Sequence, residues 1–259
     1  MLRSSWLLVV VLFLLAPPAS AVAPPPRKPT WDPDERYTAQ SLRGWTLKVH
    51  DRLLAPEHDR LRRDTLELLD SHLYQITRVV PAGPLAKLRR VPIWVELAHP
   101  QHPCMCYHVS KAWLREHHMN PNKAGAVELA NCRNFLTWTR GQPWMVLHEL
   151  AHAYHHQVLG FDHPGVRLCH DQAMRGKLYD SVLHIDGSRR RHYACTNPTE
   201  YFAEMTEAYF GTNDFYPFVR AELRAHDPRM YELIEQVWEI RKPGRGLKTS
   251  PQRTQRDTD

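Results

Sequence analysis

Apolar and polar residues alternate along this chain with the periods of helices and short strands, and the longest such pattern follows Pro56. Over residues 57–79 the apolar positions recur every three to five residues, which predicts one amphipathic helix. Its apolar stripe consists of Leu61, Leu66, Leu69 and Leu73. A stripe of this kind predicts packing against a hydrophobic core.

Shorter apolar segments predict a few strands between the helices. Residues 93–97, Ile-Trp-Val-Glu-Leu, read as a strand, and residues 127–135 hold a second candidate. Helical patterns recur over 164–178 and 216–240. The sequence therefore predicts an α+β fold that is mostly helical and contains a small sheet.

The amino terminus has the pattern of a secretory signal peptide. Arg3 precedes an apolar run from Trp6 to Ala16, and the small residues around Ala21 suit cleavage after it. The run is shorter than the roughly 20 residues that span a bilayer. We expect a cleavable signal over residues 1–21 and a secreted or periplasmic protein without a membrane span, an uncleaved anchor being the alternative.

The remaining chain reads as one domain between two polar ends. Residues 22–45 begin with a proline-rich stretch and are expected to form an extended linker. Residues 46–241 are expected to form the folded domain. Residues 242–259 are rich in polar and charged side chains and are expected to form a disordered tail.

The charge of the chain limits the classes of molecule that we expect it to bind. The formal net charge of +6 becomes +5 once Arg3 is removed, and no nucleic-acid-binding motif accompanies this small excess. We therefore expect no nucleic-acid partner. The densest basic run, Arg189-Arg190-Arg191-His192, follows Asp186-Gly187 and is expected on a hairpin, where it would favour acidic substrates or a polyanionic surface.

Five cysteines in an exported chain predict at least one disulfide.

The segment with the clearest chemistry is His148-Glu149-Leu150-Ala151-His152, which lies between helix-breaking residues at 141–143 and Gly160. On a helix, His148 and His152 share a face and can bind one metal ion. Glu149 is rotated by about 100° around the axis, where it can accept a proton from a metal-activated water. The alternative is a buried helix whose histidines bond to carbonyl groups and waters.

A catalytic zinc site needs a third protein ligand, for which the chain offers several candidates. His155 follows on the same face of the helix but lies a turn too far along it. Asp214 follows Gly211-Thr212-Asn213, a partial match to the pattern of peptidases with an aspartate ligand. Glu200 is the strongest candidate, because it stands with Glu204 on one face of a helix that begins near Pro198. An ordinary helix with a solvated acidic face is the alternative interpretation.

Together with HELAH, the segment Tyr193-Ala194-Cys195-Thr196-Asn197-Pro198-Thr199-Glu200-Tyr201-Phe202-Ala203-Glu204 resembles the gluzincin metallopeptidases, specifically the catalytic domain of anthrax lethal factor and its relatives. The resemblance covers roughly residues 144–210. It implies a zincin-like fold and a bound Zn²⁺. The implied zinc ligands are His148, His152 and Glu200. The implied general base is Glu149, with Tyr193 stabilising the transition state and Glu204 orienting a ligand imidazole.

These residues predict an exported zinc metallopeptidase that hydrolyses peptide bonds in peptides or proteins, with Glu149 as the general base. Zincins commonly bind the substrate along an edge strand beside the active-site helix, and residues 93–97 are the candidate by resemblance. Two alternatives remain open. The same site can hydrolyse a non-peptide amide, or the metal can stabilise a binding module that has no catalytic activity.

Overall fold

A computed structural model describes residues 31–99, 102–103 and 105–240. The predicted signal peptide and the predicted tail from residue 242 lie outside these residues. The strands are β1 (Tyr37–Leu42), β2 (Trp45–His50), β3 (Ile93–Val95), β4 (Met105–Tyr107), β5 (Val127–Leu129), β6 (Val182–Leu183) and β7 (Arg189–Arg190). The helices are α1 (Asp51–Leu54), α2 (Asp59–Val79), α3 (Ala82–Leu88), α4 (Lys111–Glu116), α5 (Cys132–Trp138), α6 (Met145–Tyr154), α7 (Pro164–Arg175), α8 (Pro198–Phe210), α9 (Arg220–His226) and α10 (Pro228–Val237).

The chain folds into helices packed around a small mixed sheet, which confirms the predicted α+β class. Within the described residues the sheet has five strands in the order β1-β2-β3-β5-β4. Strands β2, β3 and β5 are parallel, whereas β1 and β4 pair antiparallel at the two edges. Helix α6 packs against β4.

This strand order corrects the predicted position of the edge strand beside the active-site helix. Residues 93–95 form β3, which is fully buried in the middle of the sheet between β2 and β5. The edge strand that contacts α6 is β4. Its three residues, Met-Cys-Tyr, are too few for a visible alternation, so the sequence pattern did not indicate it.

The helix predicted over 57–79 is α2, and Pro56–His58 form a 3₁₀ turn before it. Leu69 and Leu73 are fully buried, because the apolar stripe faces α5 and α6. The helix predicted over 164–178 is α7. Helix α2 thus packs against the helix that carries the His148 and His152 pair.

The folded domain begins before residue 46, so the predicted linker over 22–45 is wrong in its carboxyl-terminal part. Residues 37–42 form β1, whose side chains are mostly polar and exposed and therefore show no core pattern. The strand forms because its backbone pairs with β2, which carries the buried residues Trp45, Leu47 and Val49. Tyr37 also packs edge-on against Trp94, with 4.6 Å between ring centroids.

The single helix predicted over 216–240 is divided into α9 and α10 at Asp227-Pro228. A proline cannot donate the backbone hydrogen bond that a continuous helix requires, but it suits the first turn of a new one. Asp227 caps α10 by accepting a hydrogen bond from the Met230 backbone at 3.2 Å. Its other oxygen accepts hydrogen bonds from the Tyr179 and Tyr201 hydroxyl groups, which fastens α10 to α8.

Cys132, Cys169 and Cys195 carry thiols, so the expected disulfide does not involve these three residues. Cys132 is fully buried and donates to the Glu96 carbonyl at 3.0 Å, and its burial raises the pKa of this thiol to about 12. Cys104 lies outside the described residues. Of the helices that the structure describes, none is long and apolar enough to cross a membrane.

Gly211 ends α8 at a point where a larger residue has no room. A Cβ atom built there would lie 1.9 Å from the Trp144 indole ring, which packs directly on the glycine. We expect Gly211→Ala to lower the free energy of unfolding by about 1–3 kcal/mol, since the indole must move out of a packed position. Gly141→Ala is the matched control, because its Cβ would meet its nearest neighbour at 3.8 Å. Thermal unfolding of the two variants measures the difference, and equal melting temperatures would contradict it.

Candidate metal and catalytic centre

Helix α6 presents His148, Glu149 and His152 to a cavity while burying its opposite face. Leu147, Leu150 and Ala151 are fully buried against the core, so the remaining face points outward. The helix continues as a π-helical turn over His155–Leu159 and ends before Gly160, whose φ is +81°. A residue at this left-handed position ends the helix most easily when it is glycine.

Helix α8 crosses α6 and brings Glu200 to the same place. Asn197 caps α8 by accepting hydrogen bonds from the backbone N–H groups of Thr199 and Glu200, both at 2.9 Å. Pro198 occupies the first turn, where the missing N–H costs nothing. The cap fixes the start of the helix and therefore the direction in which the Glu200 side chain leaves it.

Three potential metal ligands converge between the two helices. The Nε2 atoms of His148 and His152 are 3.1 Å apart. Glu200 Oε2 lies 3.1 Å from His148 Nε2 and 3.2 Å from His152 Nε2. The sequence prediction that these residues share one site is consistent with this geometry, although Glu200 comes from a helix 48 positions further along the chain.

The arrangement of these atoms fits one divalent cation. In a tetrahedral site with metal–ligand distances of 2.0–2.1 Å, neighbouring ligand atoms lie about 3.3 Å apart. The three separations here are within a few tenths of an ångström of that value. Two imidazoles and one carboxylate form the donor set of many catalytic zinc sites.

Glu207, rather than the predicted Glu204, makes the hydrogen bond that orients His148. Glu207 Oε1 lies 2.7 Å from His148 Nδ1, whereas the nearest Glu204 oxygen lies 3.7 Å away. A proton on Nδ1 directed at Glu207 leaves the Nε2 lone pair facing Glu200 and His152, which is the tautomer a metal ligand needs. On an α-helix, positions 200, 204 and 207 share one face, so spacing alone did not separate the two candidates.

Both glutamates are buried, which corrects the interpretation of an ordinary helix with a solvated acidic face. Every residue of α8 from Tyr201 to Phe210 is buried, and Glu204 and Glu207 are each 4% exposed. Burial raises the pKa of both carboxyl groups. The charge of Glu207 further raises the pKa of Glu204, and the charges of Asp214 and Glu149 further raise the pKa of Glu207. Two acids that ionise in such a position need a compensating positive charge, and a cation held by His148 would supply one.

We expect Glu207→Gln to weaken metal binding by about 10- to 100-fold, the usual cost of losing a group that orients a ligand histidine. Glutamine preserves the shape but replaces the carboxylate that His148 faces. Competition with a chromogenic chelator measures the affinity. Glu204→Gln is the matched control, being equally buried on the same helix, and a larger loss in that variant would return the orienting role to Glu204.

Glu149 stands beside the three ligands without joining them. Its Oε2 atom accepts a hydrogen bond from the Tyr107 backbone N–H in β4 at 2.8 Å. This contact fixes the carboxylate between α6 and the edge of the sheet. Burial raises the pKa of Glu149, which suits a group that must take up a proton.

Tyr193 lines the same cavity. The predicted hairpin forms through β6 and β7, with Gly187 at a φ of +87° in its turn. His192 follows it, is buried against Phe215, and accepts a hydrogen bond from the Ala194 backbone at 3.0 Å. This local bond forms the 3₁₀ turn Tyr193–Cys195 and leaves Tyr193 49% exposed over the site.

The other histidine and aspartate candidates lie apart from the three ligands. His155 is fully buried next to Phe161 and Phe202, and burial lowers its pKa to about 4. Asp214 lines the cavity, but its carboxylate pairs with His184 Nε2 at 3.6 Å. Neither belongs to the groups of side chains that lie close enough to share an ion among the described residues.

The cavity around this centre has a volume of about 450 Å³. The side chains of the centre line it together with apolar side chains, including Val109, Trp138 and Phe161. Val109 and Trp138 are exposed large hydrophobic residues, so an apolar part of a ligand can bind to them.

Comparison of the chain with known protein families, with curated proteins and with solved structures found no match. The function of this cavity must therefore be inferred from the side chains that line it.

Proposed function

We propose that this protein is an exported, zinc-dependent peptidase of the gluzincin type with a zincin-like fold. The observation that carries the proposal is the convergence of His148, His152 and Glu200 beside Glu149 in the lining of an open cavity. Structural zinc sites use four protein ligands, whereas catalytic sites use three and leave a position for water. A purely structural site has no need of Glu149.

A zinc ion held by the three ligands would lower the pKa of a water molecule and polarise the scissile carbonyl group. Glu149 then accepts the proton of the attacking water and returns it to the leaving amine. The Tyr107 N–H holds the carboxylate in position for both transfers. Tyr193, which lines the cavity, can donate a hydrogen bond to the developing oxyanion, because burial and the nearby Glu200 raise its pKa and keep its hydroxyl protonated.

The free edge of β4 supports an extended peptide as the substrate. In the part of the chain that the structure describes, β4 is the last strand of the sheet. An extended peptide can bind there by backbone hydrogen bonds, as an added strand. Since the Tyr107 N–H already points from this edge to Glu149, a peptide on β4 would have its backbone beside the general base.

Peptide-library cleavage by the zinc-loaded protein tests the proposal. We expect cleavage products that do not form with the Glu149→Gln variant prepared in the same way. Cleavage that persists both in this variant and in His152→Ala would indicate a contaminating protease. Absence of cleavage by folded, zinc-loaded wild type, followed by turnover of a non-peptide amide, would overturn the peptidase assignment while preserving a hydrolase.

We expect Tyr193→Phe to lower kcat by about 10²-fold with little change in KM, because the hydroxyl acts on the transition state rather than on the bound substrate. Phenylalanine keeps the ring that lines the cavity. Steady-state kinetics on the best library peptide separates kcat from KM. Tyr74→Phe, a change at an exposed ring on α2, is the control. A rise in KM at constant kcat would assign Tyr193 to substrate binding instead.

A further inference from the structure

A second group of metal-binding atoms lies on the sheet behind the cavity wall. Cys106 in β4 is the register partner of Glu128 in β5, so their side chains lie on the same face of the sheet. His108 follows two residues after Cys106 and joins them on that face. The ligand atoms of these three residues all lie within 4.8 Å of one another.

The distances within this group resemble those of a metal site. Cys106 Sγ lies 3.6 Å from His108 Nε2. A sulfur at 2.3 Å and a nitrogen at 2.0–2.1 Å from one tetrahedral zinc ion would lie about 3.5 Å apart. His108 Nε2 and Glu128 Oε2 are hydrogen-bonded at 2.5 Å, and this pair would open to about 3.3 Å around an ion.

Charged side chains lie next to this group of ligand atoms. Lys123 is buried and forms ion pairs with both Glu96 and Glu128. Arg52 contributes a second positive charge beside the pair, its Nη2 atom lying 3.9 Å from Glu96 Oε2. Cysteine coordinates zinc as the thiolate, so binding of the ion through Cys106 would release one proton.

A metal ion can reach this second group of ligand atoms from the catalytic cavity. Cys106 is only partly buried and lines that cavity, whereas Glu128 is fully buried. An ion can therefore reach Cys106 from the solvent side. The donor set of one thiolate, one imidazole and one carboxylate suits Zn²⁺ better than Ca²⁺ or Mg²⁺, which prefer oxygen ligands.

We propose that Cys106, His108 and Glu128 form a second zinc site, which fastens the edge strand β4 to β5. Tyr107 lies between two of these ligands, and its N–H holds Glu149. The second ion would thus fix the strand that positions the general base. This site shares no ligand with the centre of His148, His152 and Glu200, so either site can exist without the other.

Metal counting and spectroscopy of the full-length protein test this site. We expect two equivalents of zinc per chain in the wild type, one in Cys106→Ser and one in the double variant His148→Ala/His152→Ala. Co²⁺ in that double variant is expected to show thiolate-to-metal charge transfer, and the band is expected to vanish when Cys106→Ser is added. Cys195→Ser is the matched control and is expected to keep both ions.

Zinc-edge X-ray absorption of the wild type provides a measurement that depends on no variant. We expect sulfur scattering at about 2.3 Å, equal to one sulfur for every two zinc ions. One zinc per chain with only nitrogen and oxygen neighbours would overturn the second site and leave the first intact. Two equivalents that persist in Cys106→Ser would also overturn it.

Discussion

Glu149→Gln is expected to lower kcat/KM by about 10³-fold, within the range that general-base catalysis contributes. The amide cannot accept the proton of the attacking water, but it keeps the size of the side chain. Its oxygen can still accept the hydrogen bond from the Tyr107 backbone, so the position between α6 and β4 is preserved. Peptide-cleavage kinetics and metal analysis on the same sample measure the effect.

The metal content of the variant distinguishes loss of the general base from loss of the metal site. Glu149 is not one of the three atoms that converge between α6 and α8, so metal content is expected to equal that of the wild type. Glu116→Gln, at an exposed position on α4, is the control for the removal of one negative charge. Activity within tenfold of wild type would show that another group accepts the proton.

His152→Ala is expected to abolish measurable peptidase activity and to remove the ion from the first centre. Alanine leaves two ligand atoms where a zinc site needs at least three from the protein. Chelator treatment of the wild type is expected to have the same effect, which added zinc reverses. Activity and metal content, measured before and after dialysis, check both expectations.

Thermal unfolding measures the loss of the ion from the first centre without depending on catalytic activity. An ion that binds only the folded state raises its stability by mass action, by roughly 4 kcal/mol at a free concentration 1,000 times the Kd. Wild type is therefore expected to melt at a higher temperature with zinc than after chelation. His152→Ala is expected to lose the part of this increase that the first centre contributes, whereas His117→Ala, at an exposed position after α4, is expected to retain it. An unchanged increase in His152→Ala would remove this residue from the ligand set.

The local parts of the centre follow from short-range spacing. Four residues separate His148 from His152, and this interval places two side chains on one face of any helix. The start of α8 is equally local, because Asn197 and Pro198 carry their own capping chemistry. The sequence of each helix therefore determined which side chains can act together within it.

Long-range packing decided how these parts meet. Both Glu204 and Glu207 lie on the face of α8 toward His148. Which of them bonds to His148 therefore depends on the point along its length at which α8 crosses α6. The identity of the edge strand depends on strand order, to which the three residues of β4 contribute almost no periodic pattern. The spacing of neighbouring residues determines neither the point at which the two helices cross nor the order of the strands.

The sequence by itself determined the α+β composition, the amphipathic helix α2 and the pairing of His148 with His152 on one helical face. Only the tertiary structure brought Glu200 within 3.2 Å of both histidines, directed Tyr107 to Glu149 and gathered Cys106, His108 and Glu128. The physical reason is the distance along the sequence over which each feature is determined. Helical and strand periods arise from backbone geometry over a few residues, whereas the approach of distant side chains is set by burial of the whole core.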